Sequence, residues 1–177
     1  MSKVLVVVDM QNDFVTDALR NEEGIKIVPN VVKKVKNAVN AGDKLIFTRD
    51  THEEDYLTTE EGKNLPVVHC IKGTKGWEII DALEPFTKKA VAVIDKPAFG
   101  SVELAKKIED MARKDDKLEV ELIGLCTDIC VVSNALVIKA FNPNIHISVD
   151  STCCAGVTPE THKAALETMK TCHVEVK

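Results

Sequence analysis

Cys130 is the residue whose surroundings in the sequence most suggest chemistry, in the segment GLCTDIC (residues 124–130). Thr127 has a side chain suited to capping a helix, which would place Cys130 in the first helical turn. Unpaired backbone N–H groups and the helix dipole favour a thiolate there, so we predict that Cys130 is a nucleophile. Two alternatives stay open: Cys130 packs as a small apolar side chain, or it forms a redox or metal-binding pair with Cys126.

Two charged residues are candidate partners for this thiol. Asp9 follows the apolar run 4–8 and begins a polar segment, and a buried carboxylate beside a thiol can accept its proton. Lys96 follows a third apolar run, and a nearby lysine stabilises a thiolate. An aspartate after a strand often only caps a turn, and most lysines are solvated. The prediction for both residues therefore depends on their placement beside Cys130.

A second set of residues is suited to holding a metal ion. Asp50 and His52 are two residues apart, so in an extended segment their side chains point the same way, and His69 follows seventeen residues later. One carboxylate with two imidazoles suits zinc, iron or manganese and leaves positions for water and substrate. The alternative is that both histidines make ordinary surface hydrogen bonds in a loop.

The elements that must position these residues alternate between short apolar runs and helical patterns. The hydrophobic pattern predicts strands over residues 4–8, 44–48, 90–94, 118–123, 145–149 and 173–176. It predicts helices over 30–41, 77–83, 101–113, 128–141 and 159–171, with Pro29 and Pro159 in first turns and Gly42 as a C-cap. Residues 51–76 are predicted to be a long functional loop.

This alternation predicts an α/β fold with three layers, α/β/α, in a single domain over residues 1–177. The central sheet is expected to be Rossmann-like, with six mainly parallel strands. If the strand order is 3-2-1-4-5-6, the ligand crevice lies between strands one and four. Asp9, Asp50, Lys96 and Cys130 then share the carboxyl-terminal rim of the sheet, and Asp9 meets Cys130.

Composition excludes several classes of function. The formal net charge of -5 argues against a nucleic-acid partner, and no apolar run approaches the roughly 20 residues that span a membrane. The N-terminal apolar run is too short for a signal peptide, so we expect a cytoplasmic protein. The six cysteines are then expected to be free thiols.

Taken together, several segments resemble the isochorismatase-like cysteine hydrolases and, within them, the nicotinamidases. The matching stretches run in order from near the N-terminus to residue 131: VVDMQNDF (7–14), TRDTH (48–52), LPVVHC (65–70), KGTKGWEI (72–79), KPAFGS (96–101) and GLCTDICV (124–131). As an ordered set they are specific, whereas any one alone is not.

The resemblance implies catalytic roles. Asp9 is the general base, Lys96 supports the charge on the thiolate and the transition state, and Cys130 attacks the carboxamide carbon to form a thioester. It also implies a cis peptide bond between Leu125 and Cys126. The backbone N–H groups of Cys126 and Cys130 are then expected to form the oxyanion hole.

The resemblance further implies one divalent metal ion, with zinc expected first and iron or manganese as alternatives. Its ligands map onto Asp50, His52 and His69, and the ion would bind the pyridine nitrogen of the substrate. Some relatives have another histidine as a fourth protein ligand, but none lies between His52 and His69 here. Glu61 is the best match for a fourth ligand, and water is the alternative. Aromatic and apolar walls of the substrate site are expected from Phe14, Trp77 and Leu19.

The expected function is therefore hydrolysis of nicotinamide to nicotinate and ammonia, in NAD salvage, by a protein that forms homo-oligomers. One alternative is another hydrolase of the superfamily that cleaves a vinyl ether or an N-carbamoyl group. A different class of alternative is a non-catalytic binding protein or a thiol-redox protein.

Overall fold

The structure is a computed structural model that describes residues 2–177. Six parallel strands form one sheet in the order β3-β2-β1-β4-β5-β6, which confirms the predicted fold and strand order. The strands are β1 Lys3–Val8, β2 Lys44–Asp50, β3 Ala92–Lys96, β4 Glu119–Leu125, β5 His146–Ala155 and β6 Glu175–Val176.

Helices cover the sheet in a pattern set by the direction of the connections. They are α1 Asn12–Val15, α2 Glu22–Ala41, α3 Glu60–Asn64, α4 Glu84–Thr87, α5 Val102–Ala112, α6 Val132–Phe141 and α7 Pro159–Thr171. Helix α2 packs on β2, β4 and β5, whereas α5, α6 and α7 contact one another in series. Parallel crossovers are right-handed, so connections running in opposite directions along the sheet place their helices on opposite faces. No helix among residues 2–177 is long and apolar enough to cross a membrane.

The central strands β1 and β4 approach each other closely at their carboxyl ends. Val8 is paired with Gly124, and a Cβ atom added at Gly124 would lie 2.1 Å from the carbonyl oxygen of Val8. Gly124 also has a φ of +116°, which side chains rarely tolerate. This glycine therefore lets the residue after β1 and the segment after β4 come together.

Helix α2 starts earlier than the sequence predicted. It begins at Glu22, capped by Asn21, whose side chain accepts a hydrogen bond from the Gly24 N–H, so Pro29 lies inside the helix rather than in its first turn. The cap and the buried apolar positions of the helix outweigh the one backbone donor that an exposed proline removes. At the other end Gly42 is the predicted C-cap, with a φ of +80°.

The predicted helix over residues 77–83 is wrong. The backbone of this segment bonds instead to the residues after β1. The side-chain amide of Gln11 donates to the carbonyl of Trp77, and the backbone N–H of Ile80 donates to the carbonyl of Met10. These long-range bonds replace the local bonds of a helix. The only helix nearby is the short α4, which starts at residue 84.

Other boundaries shift because of pairing between strands. Strand β3 runs to Lys96 since it pairs with β2 as far as Asp50, and β5 continues past Asp150 to pair with Gly124 and Leu125 through an irregular register. Residues 51–76 are not wholly irregular, since they include a 3-10 turn, Tyr56–Thr58, and α3.

Candidate active site

Asp9, Lys96 and Cys130 meet at the carboxyl-terminal rim of the sheet. The ammonium of Lys96 lies 2.6 Å from Asp9 Oδ2 and 3.3 Å from Cys130 Sγ. It also contacts Asp50 Oδ1 and the carbonyl oxygen of Ala98, each at 3.2 Å. Lys96 and Asp9 are fully buried, which few charged side chains are unless they are paired. This lysine is therefore the electrostatic centre of the site.

Asp9 is held in place by strand β2. The hydroxyl of Thr48 donates to Asp9 Oδ1 at 2.6 Å, and the backbone N–H of Asp9 donates to the Thr48 carbonyl at 3.2 Å. Asp9 has a φ of +47°, in the left-handed region that aspartate tolerates better than most side chains. The sequence analysis missed Thr48, although a polar residue in a buried strand was the available signal.

Cys130 lies in a π-helical turn, Thr127–Val131, that leads directly into α6. The predicted cap is wrong: Cys126 occupies the N-cap position without a side-chain bond, and the Thr127 hydroxyl pairs with His162 Nδ1 at 2.7 Å. The peptide bond between Leu125 and Cys126 is cis. The turn therefore presents Cys130 at the start of a helical segment, as expected, but with a different local geometry.

The surroundings of Cys130 disfavour the thiolate that its position in the first helical turn led us to expect. Burial raises the pKa of the Cys130 thiol well above its usual range, Asp9 adds to the rise, and Lys96 only partly offsets it. Burial likewise raises the pKa of Asp9, with Lys96 opposing the rise. Burial alone would lower the pKa of Lys96, but Asp9, Cys130 and Asp50 together raise it. The surroundings therefore favour the thiol form of Cys130 beside the Asp9–Lys96 pair.

Four side chains that can bind a metal converge next to this group. Asp50, His52, Glu61 and His69 each offer one atom, and these atoms lie within 4.8 Å of one another. The Nε2 atom of His52 is 3.0 Å from Asp50 Oδ2 and 3.5 Å from Glu61 Oε1. The Nε2 atom of His69 is 3.6 Å and 3.7 Å from the same two oxygens. Glu61, from α3, thus joins the three residues predicted from spacing.

Backbone contacts orient both imidazoles. The backbone N–H of His52 donates to the carbonyl of Cys70, and the backbone carbonyl of His52 accepts from the N–H of Lys72. The extended segment around His52 therefore pairs with the one that follows His69. His69 Nδ1 lies 2.7 Å from the carbonyl oxygen of Val67, which can only accept. A neutral ring then has its Nε2 lone pair free, as metal ligation requires. This donor set fits a divalent ion such as zinc, iron or manganese.

Cys130 lines one cleft, with a volume of about 1190 Å³, together with Asp50, Glu61 and His69 from the cluster of possible metal ligands. Of the expected walls, Phe14 and Leu19 line this cleft, whereas Trp77 does not. Trp77 instead stacks against the Arg49 guanidinium at 3.6 Å and donates to the Thr51 hydroxyl. The cleft has a second aromatic residue, Phe99, which the sequence analysis missed. Cys126, expected to contribute an oxyanion-hole N–H, also lines the cleft.

The chain is similar to known proteins along almost its whole length. The model of the isochorismatase domain matches residues 3–176. An isochorismatase family protein of Bacillus subtilis (strain 168) is 31% identical, over 94% of this chain and 93% of that protein. The crystal structure of a nicotinamidase/pyrazinamidase from Bacillus subtilis superposes with a TM-score of 0.84 at 29% identity, covering 99% of both chains.

A pyrazinamidase of Pyrococcus horikoshii, solved in complex with zinc, superposes with a TM-score of 0.79 at 30% identity, covering 100% of this chain and 99% of that one. The match of the domain model to almost the whole chain shows that this protein belongs to the isochorismatase family.

Proposed function

We propose that this protein is a metal-dependent cysteine amidohydrolase that converts nicotinamide to nicotinate and ammonia, a step in NAD salvage. The observation that carries the proposal is the position of Asp50. Its Oδ1 atom contacts Lys96, and its Oδ2 atom contacts His52. A site for a nucleophile and a site for an ion that can hold a pyridine nitrogen are thus joined through one carboxylate.

The first half-reaction uses Cys130 and Asp9. As the Cys130 sulfur attacks the carboxamide carbon, its proton passes to Asp9, whose raised pKa suits it to accept a proton from a thiol. The N–H groups of Cys126 and Cys130 donate to the oxyanion that forms. Asp9 then gives the proton to the leaving nitrogen, the C–N bond breaks, and ammonia leaves a thioester on Cys130.

The second half-reaction reverses the roles with water. Asp9 takes a proton from a water molecule, whose oxygen attacks the thioester carbon, and the C–S bond breaks. The proton returns to the Cys130 sulfur and the carboxylate product leaves. Lys96 stays charged throughout, because Asp9, Cys130 and Asp50 raise its pKa, and it offsets the negative charge that moves between Asp9 and Cys130. In sum, one amide and one water give one acid and one ammonia.

Asp50, His52, Glu61 and His69 would hold the ion. When bound, it supplies a Lewis acid for the ring nitrogen of a pyridine carboxamide, which orients the carboxamide toward Cys130. The ring of Phe14 contacts His69 edge to face, at 5.6 Å between centroids, so an aromatic wall adjoins the cluster. A zinc complex of a relative supports zinc as the first metal to test.

The test is ammonia release from nicotinamide by the wild-type protein, before and after chelation and after zinc is restored. We expect release that chelation abolishes and zinc restores. Cys130→Ala should abolish it, while Cys172→Ala should leave it unchanged, because Cys172 is an exposed cysteine away from the cleft.

Two outcomes would contradict the proposal. Release that persists in Cys130→Ala would exclude the thioester route, and release indifferent to chelation would exclude the metal. Cleavage of an N-carbamoyl or vinyl-ether substrate with no activity on nicotinamide would assign the same machinery to the alternative hydrolase.

A further inference from the structure

Asp13 is a buried carboxylate that the proposed reaction does not use. It is 8% exposed, and we find no ion pair for it among residues 2–177. Its Oδ2 atom accepts from the backbone N–H of Cys70 at 2.7 Å, and its Oδ1 atom accepts from the N–H of Ala18 at 3.2 Å. A buried carboxylate without a cation is costly, so this one needs a reason.

Cys70, whose backbone N–H binds Asp13, lies directly beside a proposed metal ligand. Cys70 follows His69, and its φ of +48° is uncommon for a residue other than glycine. The carbonyl of Cys70 also accepts the backbone N–H of His52 at 3.0 Å. Fixing Cys70 through Asp13 therefore fixes the backbone beside both imidazoles of the cluster.

The position of the Asp13 side chain is itself tightly enforced. Its backbone N–H donates to the carbonyl of Gly76 at 2.9 Å, and a Cβ atom added at Gly76 would lie 2.2 Å from Asp13 Oδ2. Only glycine at position 76 therefore leaves room for the Asp13 carboxylate in its observed position. An asparagine at position 13 could not replace it, since an amide has one acceptor oxygen and two N–H groups must be satisfied.

We propose that Asp13 is a positioning residue for the metal site, acting through the backbone of Cys70 on His69 and His52. The inference rests on the metal site of the proposed function and adds a residue to it. A carboxylate serves here because two backbone donors from separate segments, 16–19 and 69–72, must be held at once. Asp13 does not touch the cleft and has no direct part in bond making.

The test is the zinc affinity of metal-free protein, measured by competition with a chromophoric chelator. Asp13→Ala removes the acceptor, and Gly76→Ala keeps the acceptor but displaces it. We expect both to weaken zinc binding by about 10- to 100-fold, the usual effect of losing a group that orients a ligand. Asp17→Ala is the matched control, because it removes an exposed carboxylate from the same loop and should not alter the affinity.

Circular dichroism checks that each variant is folded, and if Asp13→Ala does not fold, Gly76→Ala carries the test. Wild-type affinity in folded Gly76→Ala and Asp13→Ala would overturn the inference and leave the proposed function intact. Failure of the wild type to bind zinc would overturn both the inference and the metal part of the proposed function. Zinc binding without ammonia release from nicotinamide would overturn the proposed function alone, while the affinity comparison would still decide the role of Asp13.

Discussion

Cys130 is surrounded by charges that oppose one another. Lys96 favours a thiolate at Cys130, while burial and the carboxylate of Asp9 disfavour it, and the disfavouring effects are larger. A resting thiol resists adventitious alkylation and oxidation, because the thiolate is the reactive form. In the proposed reaction, Cys130 therefore has to lose its proton to Asp9 as the sulfur attacks the substrate.

This balance predicts how Cys130 reacts with a simple electrophile. The rate of inactivation by iodoacetamide should rise about tenfold per pH unit from pH 7 to 9 without a plateau, since the thiolate fraction grows in that way below a raised pKa. The measurement is residual ammonia release after timed exposure, with the labelled cysteine identified by mass spectrometry.

Cys172→Ala serves as the control, because exposed Cys172 is alkylated as well and its labelling should not affect activity. A rate that levels off below pH 7 would show a resting thiolate at Cys130 and contradict the structure.

Individual site residues were predictable from sequence when their position along the chain placed them at strand ends. Asp9, Asp50, Lys96 and Cys130 belong to this group, and parallel strands bring such residues to one rim. Thr48 and Phe99 were missed, because their roles depend on which segments pack together. The placement of Trp77 depends on packing in the same way, since its ring is held by Arg49 and Thr51 outside the cleft.

At the scale of elements, the contact between the ends of β1 and β4 decides whether the site forms. The close approach of Gly124 to Val8 sets the spacing between Asp9, which follows β1, and the π-helical turn that carries Cys130. Asn134 in α6 strengthens this arrangement by donating to the carbonyls of Cys130 and Phe99. Cys130 is therefore fixed from both sides.

Gly124→Ala should be strongly destabilising. The added Cβ atom combines a positive φ with a contact of 2.1 Å to backbone, so we expect the free energy of unfolding to fall by about 3 kcal/mol or more. Urea unfolding followed by circular dichroism measures this loss. Gly42→Ala is the matched control, because it has a positive φ but nothing within 4 Å of the added atom, and should cost only about 1 kcal/mol. Equal losses in the two variants would rule out the close contact as the cause.

Elements whose apolar residues recur with a clear periodicity were predicted well, whereas elements held by long-range hydrogen bonds were not. Helix α5 matches its predicted span within one residue at each end, because its Ser101 cap and apolar stripe are local signals. The segment 77–83 has apolar residues at helical spacing, but its backbone partners lie in the segment after β1. No pattern within a short window contains that information.

At the scale of the molecule, an ion held by Asp50, His52, Glu61 and His69 would join β2, α3 and the segment around residue 69. Zinc at a free concentration of 100 times its Kd should then raise the free energy of unfolding by about 2.7 kcal/mol. For a chain of this length that corresponds to an increase in Tm of about 5–10 °C. Thermal unfolding of metal-free protein with and without zinc measures the increase.

His69→Ala provides the comparison for this stabilisation. It removes one ligand atom from the cluster, so its Tm should respond little to zinc. An equal increase in Tm for the wild type and His69→Ala would place the zinc that stabilises the fold elsewhere.

The two carboxylate oxygens of Asp50 have different partners: Oδ1 contacts the ammonium of Lys96, and Oδ2 contacts the imidazoles of His52 and His69. A charge that one oxygen attracts changes the electrostatic potential at the other, so occupancy of the cluster and the protonation equilibrium of the thiol are thermodynamically linked, and such linkage is reciprocal. Modification of Cys130 should therefore alter the affinity for the ion as much as the ion alters the free energy of the modified state. In the proposed reaction, replacing one metal by another would then change the protonation equilibrium of the Cys130 thiol as well as the affinity for the substrate.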